Sequence, residues 1–177
     1  LLSCFLVSIG QSAVSYIEGE RTLTGQIYEN CQLQADMAAE QIETWIGGKF
    51  EELQTLARTS QIKNMKTEGL AEFLAQAKSE EKDALYVAWP DGTYISQKGL
   101  QTVKLNDREY FQKAMAGQAN MGEPIISKTT GNVVAPIALP IIRDGKVEGV
   151  LAATIKIEKL IDIVNQIKIG ETGYAYM

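Results

Sequence analysis

From Glu18 to about Ser60 the chain runs for roughly 40 residues without a proline, and apolar side chains recur along it at intervals of three and four. Ile27, Cys31, Ala35, Ala38, Ile42, Trp45, Ile46, Phe50, Leu53 and Leu56 fall on one stripe. Glu29, Gln32, Asp36, Glu40, Glu43 and Glu51 lie mainly on the other side. That period belongs to an amphipathic α-helix, and at 1.5 Å per residue the helix is about 60 Å long. Helices of globular domains average about 11–12 residues. One of this length needs an apolar partner along its whole stripe, either a neighbouring subunit or a stack of small domains. Gly47-Gly48 is its weak point, each glycine costing about 1 kcal/mol relative to alanine.

Ahead of this helix, residues 1–17 (LLSCFLVSIGQSAVSYI) carry no charge and are mostly apolar. The stretch reads as the outer half of a membrane-spanning helix whose start is missing. A signal-peptide core and a buried amphipathic helix are the alternatives. After the long helix comes a short amphipathic one, Thr67–Lys78, with Leu70, Phe73, Leu74 and Ala77 on its apolar side. Strands follow at Ala84–Trp89 and Gly92–Gln97, joined by a Pro90-Asp91-Gly92 turn. Arg108–Gly117 reads as a helix capped by Asn106-Asp107. Strands at Ile125–Thr129, Asn132–Ile142 and Val147–Lys156 precede a last helix, Glu158–Gln166. Pro136 and Pro140 make Asn132–Ile142 an expected edge or bulged strand. Consecutive hairpins with interspersed helices predict an α+β domain around an antiparallel sheet.

Composition excludes several functions. The net charge of -5 and the lack of any Lys/Arg run argue against a nucleic-acid partner. There is no histidine, which removes the commonest general base and metal ligand. Cys4 and Cys31 have no metal-type spacing and read as unpaired small hydrophobes. No catalytic motif, metal cluster or cofactor signature is present in the sequence, so no enzymatic activity, metal or cofactor is expected.

Several strings, taken in order, carry a family resemblance. They are Asn106-Asp107-Arg108-Glu109-Tyr110-Phe111, then Gly122-Glu123-Pro124 leading to Ser127 and Thr130-Gly131, then Ala135-Pro136-Ile137-Ala138, then Asp144–Leu151, and finally Gly170–Tyr176. The chain thereby resembles the double-Cache extracytoplasmic sensor region of bacterial methyl-accepting chemotaxis receptors and membrane histidine kinases. The resemblance implies a fold in which a long N-terminal stalk helix accompanies a PAS-like (Cache) module, its central antiparallel sheet flanked by helices. It implies four parts: a truncated membrane segment over 1–17, a stalk over 18–60, a membrane-distal sensor module over 61–167, and the start of a membrane-proximal module over 168–177. It also implies a membrane-anchored, extracytoplasmic protein that pairs as a homodimer through the stalk and passes ligand occupancy to a cytoplasmic part. The alternatives are the sensor of a histidine kinase or cyclase, or a structural or adhesive domain.

In amino-acid-binding relatives an Arg at the start of the central helix takes the ligand carboxylate. Here that residue is Arg108, with Tyr110 and Phe111 following. A guanidinium fork suits a carboxylate, while Phe111 is expected in the core. Tyr86 and Trp89 on the first strand, Tyr94 on the second, and Ser127 and Thr129 on the third are further wall candidates. The relatives' aromatic ahead of the Arg is Val103 here, and Thr154 stands near the place of their ammonium-pairing Asp. A small polar metabolite is therefore the expected ligand, a carboxylate fitting at least as well as an amino acid.

Overall fold

The computed structural model describes residues 2–127, 130–165, 168–169 and 173–174, with side chains described for 19–127, 130–158 and 160–165. Helix α1 (Leu2–Ala57) covers the proline-free run, and Gly47-Gly48 does not end it. The membrane segment expected over 1–17 falls where side chains lie outside the described residues. Among the described residues no helix is long and apolar enough to cross a membrane.

The chain divides into two compact units. The larger, Thr44–Ile161, holds the end of α1 and two short helices, α2 (Ser60–Lys63) and α3 (Leu70–Ala77). Its strands are β1 (Lys82–Ala88), β2 (Tyr94–Ser96), β3 (Gly99–Gln101), β4 (Asn120–Met121), β5 (Ile125–Ile126), β6 (Val133–Arg143) and β7 (Lys146–Lys156). Helix α4 (Glu109–Met115) lies between β3 and β4, and α5 (Glu158–Asn165) begins at the unit's end. The smaller unit, Leu1–Glu43 with Asp162–Met177, contains an antiparallel pair, β8 (Lys168–Ile169) with β9 (Gly173–Tyr174).

The seven strands of the larger unit form one antiparallel sheet in the order β3-β2-β1-β7-β6-β4, with β5 also paired to β6. Strand alternation gives its two faces different work. Leu85, Val87, Ile137, Leu139, Ile141, Leu151, Ala153 and Ile155 form a core with Leu53 of α1, Ile62 of α2 and Leu70 and Leu74 of α3. The opposite face carries Tyr86, Ala88, Ala138, Val150 and Ala152, packed with Leu105 and with Tyr110, Phe111 and Ala114 of α4. The first face is mostly Leu, Ile and Val. The second is rich in alanine, and the volume that alanines leave unfilled goes to tyrosine rings and a cleft.

The proline-bearing strand takes the bulged alternative and not the edge one, the cap expectation changes, and two short strands are added. The proline-bearing β6 is interior, paired to β7 along its length. Its carbonyl at Pro136 accepts from Gly122 N–H at 2.8 Å, so the imide nitrogen of Pro136 faces the outer side. There the ladder breaks between Met121 and Ile125, and no ladder hydrogen bond is forfeited. Pro140 lies beyond the end of β4 pairing, next to a register shift at Ile141/Ile142. Helix α4 starts from Arg108 with no side-chain cap, not from an Asn106-Asp107 cap; Gln112 Nε2 instead donates to the Asn106 carbonyl at 2.7 Å. Strands β3 and β4, two or three residues long, carry too little pattern to be read from sequence.

Truncating Leu85 or Leu151, both fully buried, is expected to cost about 2–5 kcal/mol. Ile126→Ala, on an exposed strand, should shift stability by about 0.5 kcal/mol or less. Urea unfolding of the three variants checks the order.

Candidate ligand-binding site

The alanine-rich face is covered by α4 and by the connection from β2 to α4. Between them lies a cleft of about 60 Å³, lined by Asp83, Tyr86, Tyr94, Arg108, Tyr110 and Thr154 among others. At about 10–15 Å³ per ordered water it admits roughly four to six water-sized groups, so it suits the polar part of a small molecule. A second depression of about 240 Å³, lined by residues of α4 and of the β4–β5 stretch, shares Arg108, Tyr110 and Ile125 with it.

Arg108 is held in place by a loop docked on the β1–β2 turn. Leu105 N–H donates to the Gly92 carbonyl at 3.0 Å, and Arg108 N–H to Leu105 at 2.9 Å. Gly92 has φ +80°, and a Cβ there would lie 1.9 Å from Asn106 Oδ1. The left-handed backbone of the turn is what favours glycine there, and any larger residue would also displace the Asn106 side chain. Asp107 Oδ1 lies 4.0 Å from Arg108 Nε, an ion pair at the outer limit of contact.

The tyrosines form one wall. Tyr86 O–H donates to Tyr110 Oη at 3.1 Å. The Tyr86 and Tyr94 ring centroids are 5.1 Å apart, tilted by 54°, a favourable aromatic arrangement. Burial, then the charge and hydrogen bond of Tyr110, push the Tyr86 phenol well above its ordinary value. Burial also raises Tyr110, against the opposing hydrogen bond of Tyr86 and charge of Arg108. Both phenols are therefore neutral hydrogen-bonding groups at physiological pH.

The opposite end is polar. The register between β1 and β7 pairs Lys82 with Ile155 and Ala84 with Thr154, leaving Asp83 as the extra residue of a bulge. Asp83 and its neighbour Ala84 consequently both line the cleft. Asp83 is buried. Its Oδ2 accepts from Thr130 Oγ1 at 2.8 Å and its Oδ1 from Asn132 Nδ2 at 3.0 Å. Burial raises this carboxyl, but hydrogen bonds from Thr130, Asn132 and Ser127, with the charge of Lys78, more than offset it. The net shift is downward. Beside it Thr154, only 7 % exposed, has a buried Oγ1 with no hydrogen-bond partner.

Of the residues singled out from sequence, Arg108, Tyr110, Tyr86, Tyr94, Ser127 and Thr154 come together around this cleft. Trp89 does not. It follows Leu85 and Val87 in the strand alternation and packs on the opposite core. Thr129 lies outside the described residues. Phe111 is buried in the core under α4, and Val103 lines the cleft where an aromatic was looked for. Asp83, Ser96, Gln97, Lys98, Gln101 and Thr130 line it as well and were missed. Asp83 escaped because the bulge breaks the alternation that sequence reading relies on. The only signal for it was a charged Lys82-Asp83 pair leading into an apolar strand.

The sequence profile of the Cache domain, dCache_1, matches residues 19–177. This chain belongs to the Cache domain family. Among curated proteins, the Cache chain is 32% identical over 98 residues to the methyl-accepting chemotaxis protein McpB of Bacillus subtilis (strain 168), covering 52% of this chain and 14% of that one. It is 24% identical over 147 residues to the methyl-accepting chemotaxis protein PctB of Pseudomonas aeruginosa, covering 80% and 23%. The chain thus spans less than a quarter of the length of these relatives. In fold it is similar to the ligand-binding domain of P. aeruginosa PctB in complex with L-Arg, with TM-score 0.66, 21% identity, and 78% of this chain and 61% of that one covered. It is also similar to the ligand-binding domain of Pseudomonas fluorescens CtaA in complex with L-serine, with TM-score 0.63, 20% identity, and 73% and 59% covered.

The downward shift of Asp83 has a sign that can be tested. Its contribution to stability is complete above its ordinary value of 3.8 and is lost as pH falls through the lower folded value. Acid unfolding of wild type and Asp83→Asn should therefore show wild type keeping its advantage from neutral pH to about pH 4 and losing it as pH falls from there to about pH 2. An advantage constant across that range contradicts the assignment.

Proposed function

We propose that this Cache domain senses a small molecule carrying a carboxylate, held by Arg108 at the mouth of the cleft, and that it has no catalytic role. The observation that carries the reading is the Arg108 guanidinium lining a tyrosine-walled cleft. Relatives in fold and sequence support it, being chemoreceptors or their ligand-binding domains. The complexes solved for the structural neighbours contain amino acids or GABA. By this reading the chain is the extracytoplasmic part of a membrane-anchored chemoreceptor. Residues 18–60 serve as its stalk, 61–167 as its sensor module, and 168–177 open a second module.

Strand β1 offers a route from ligand to stalk. Lys82, wholly buried, is ion-paired with Glu52 of α1, and Glu81 pairs with Lys49 of the same helix. The next residue, Asp83, lines the cleft. A shift of β1 on ligand binding is thereby delivered to α1 through two ion pairs, one of which has a buried cation that cannot be left unpaired cheaply. Further along α1, Leu23, Ile27, Tyr28, Leu33 and Met37 are exposed, and by this reading a second copy of the chain covers them.

Two outcomes follow. Arg108→Ala should lose about 1.5–3 kcal/mol of affinity for carboxylate ligands, the worth of a charge-assisted hydrogen bond. Thermal shift with a panel of carboxylic and amino acids reads this, and an unchanged response removes Arg108 as the anchor. In a Cys4→Ser, Cys31→Ser background, Ile27→Cys should form an intermolecular disulfide at a rate that ligand alters. Glu52→Gln should abolish the ligand effect while binding persists. Absence of any crosslink counts against the paired stalk.

A further inference from the structure

We propose that the tip of the β2–β3 hairpin, Gln97 and Lys98, is a second anion subsite of the cleft, so that the domain takes a short-chain dicarboxylate in preference to a monocarboxylate. The inference rests on the reading of Arg108 as the anchor of one carboxylate and assigns the residues that receive the other.

The hairpin builds the subsite. Ser96 pairs with Gly99 across β2 and β3, which leaves Gln97 and Lys98 as the two residues of the tip. Gly99 closes it with φ +91°, a backbone that favours glycine. Both tip residues line the cleft. Three hydrogen bonds brace them. Lys98 N–H donates to Ser96 Oγ at 3.1 Å, and Gln101 Nε2 donates to the Gly99 carbonyl at 2.9 Å. Leu85 N–H, from β1, donates to Gln97 Oε1 at 3.2 Å. This last bond settles how the Gln97 amide is turned. Only its oxygen can accept from a backbone N–H, so the N–H₂ half is what remains for the cleft. The tip therefore offers an ammonium and an amide donor on a braced backbone, and both suit a carboxylate oxygen.

The balance of charge calls for a second anion. The charged residues lining the cleft are Asp83, Lys98 and Arg108. Asp83 already accepts from Thr130 and Asn132 and lies in the field of Lys78. Lys98 has no ion-pair partner among the described residues. A ligand with one carboxylate answers Arg108 and leaves Lys98 to water. A second carboxylate adds a charge-assisted hydrogen bond at the tip. Lys98 is exposed, so its ammonium is hydrated in the free protein and the fold does not depend on it. The space fits as well. Room for about four to six water-sized groups matches a short carbon chain between two carboxylates.

The test is calorimetric titration of the purified protein with succinate, glutarate and adipate, each matched by the monocarboxylate of the same chain length: butyrate, pentanoate and hexanoate. Wild type should bind at least one dicarboxylate about 10-fold or more tighter than its matched monocarboxylate, the gain expected for one charged hydrogen bond. Lys98→Gln should remove that preference while leaving the monocarboxylate's affinity and the melting temperature of the free protein unchanged. Gln97→Glu keeps an oxygen for Leu85 N–H but replaces the amide donor with a carboxylate. It should weaken the dicarboxylate more than the monocarboxylate. A monocarboxylate that binds as tightly as its dicarboxylate, or a preference that survives Lys98→Gln, overturns the subsite while the carboxylate reading of Arg108 stands. Failure of every acid of either kind to bind overturns both.

Discussion

Everything in the larger unit depends on a sheet whose two faces are unequal. On β1, β6 and β7 the residues facing α1, α2 and α3 are Leu85, Val87, Ile137, Leu139, Leu151 and Ile155, all buried. Those facing α4 include Ala84, Ala88, Ala138 and Ala152. The first set closes a dense core at native packing, which fixes the strands. The second set is too small to fill the space beneath α4, so two tyrosine rings and a cleft occupy it. Stability and binding are thus divided between the two sides of the same backbone.

That division also explains the position of charge. Alternation would have sent Asp83 to the α1 core beside Leu85, where an ionised carboxylate is costly. The bulge turns it to the cleft and leaves Lys82 to meet Glu52. One extra residue in a strand therefore separates an ion pair that grips the helix from a carboxylate that faces the ligand space. The carboxylate so placed also accepts from Thr130 and Asn132, and Thr130 lines the cleft beside it.

Much of this was legible beforehand. The long helix follows from its proline-free apolar period, and α1 bears it out from Leu2 to Ala57. The long strands β6 and β7 and the helix after Arg108 are also where the pattern puts them. The Cache resemblance rested on strings such as Asp107–Phe111, and the family profile over 19–177 agrees with it. Of the cleft, the aromatic and arginine walls were visible because large residues announce themselves. What stayed hidden was set by register. Trp89 was misplaced by one step of alternation, Pro136 and Pro140 left an edge strand and a bulged one both open because the gap between β4 and β5 has no sequence mark, and Asp83 was displaced by a bulge.

A crystal structure of the protein with an acid from the binding panel tests the central claim most directly. The account predicts the ligand on the alanine-rich face under α4, with its carboxylate on the Arg108 guanidinium. Density for the ligand elsewhere, for instance in the separate depression between α2 and the start of α3 lined by Ser60, Asn64 and Leu70, with the α4 cleft empty, would contradict it.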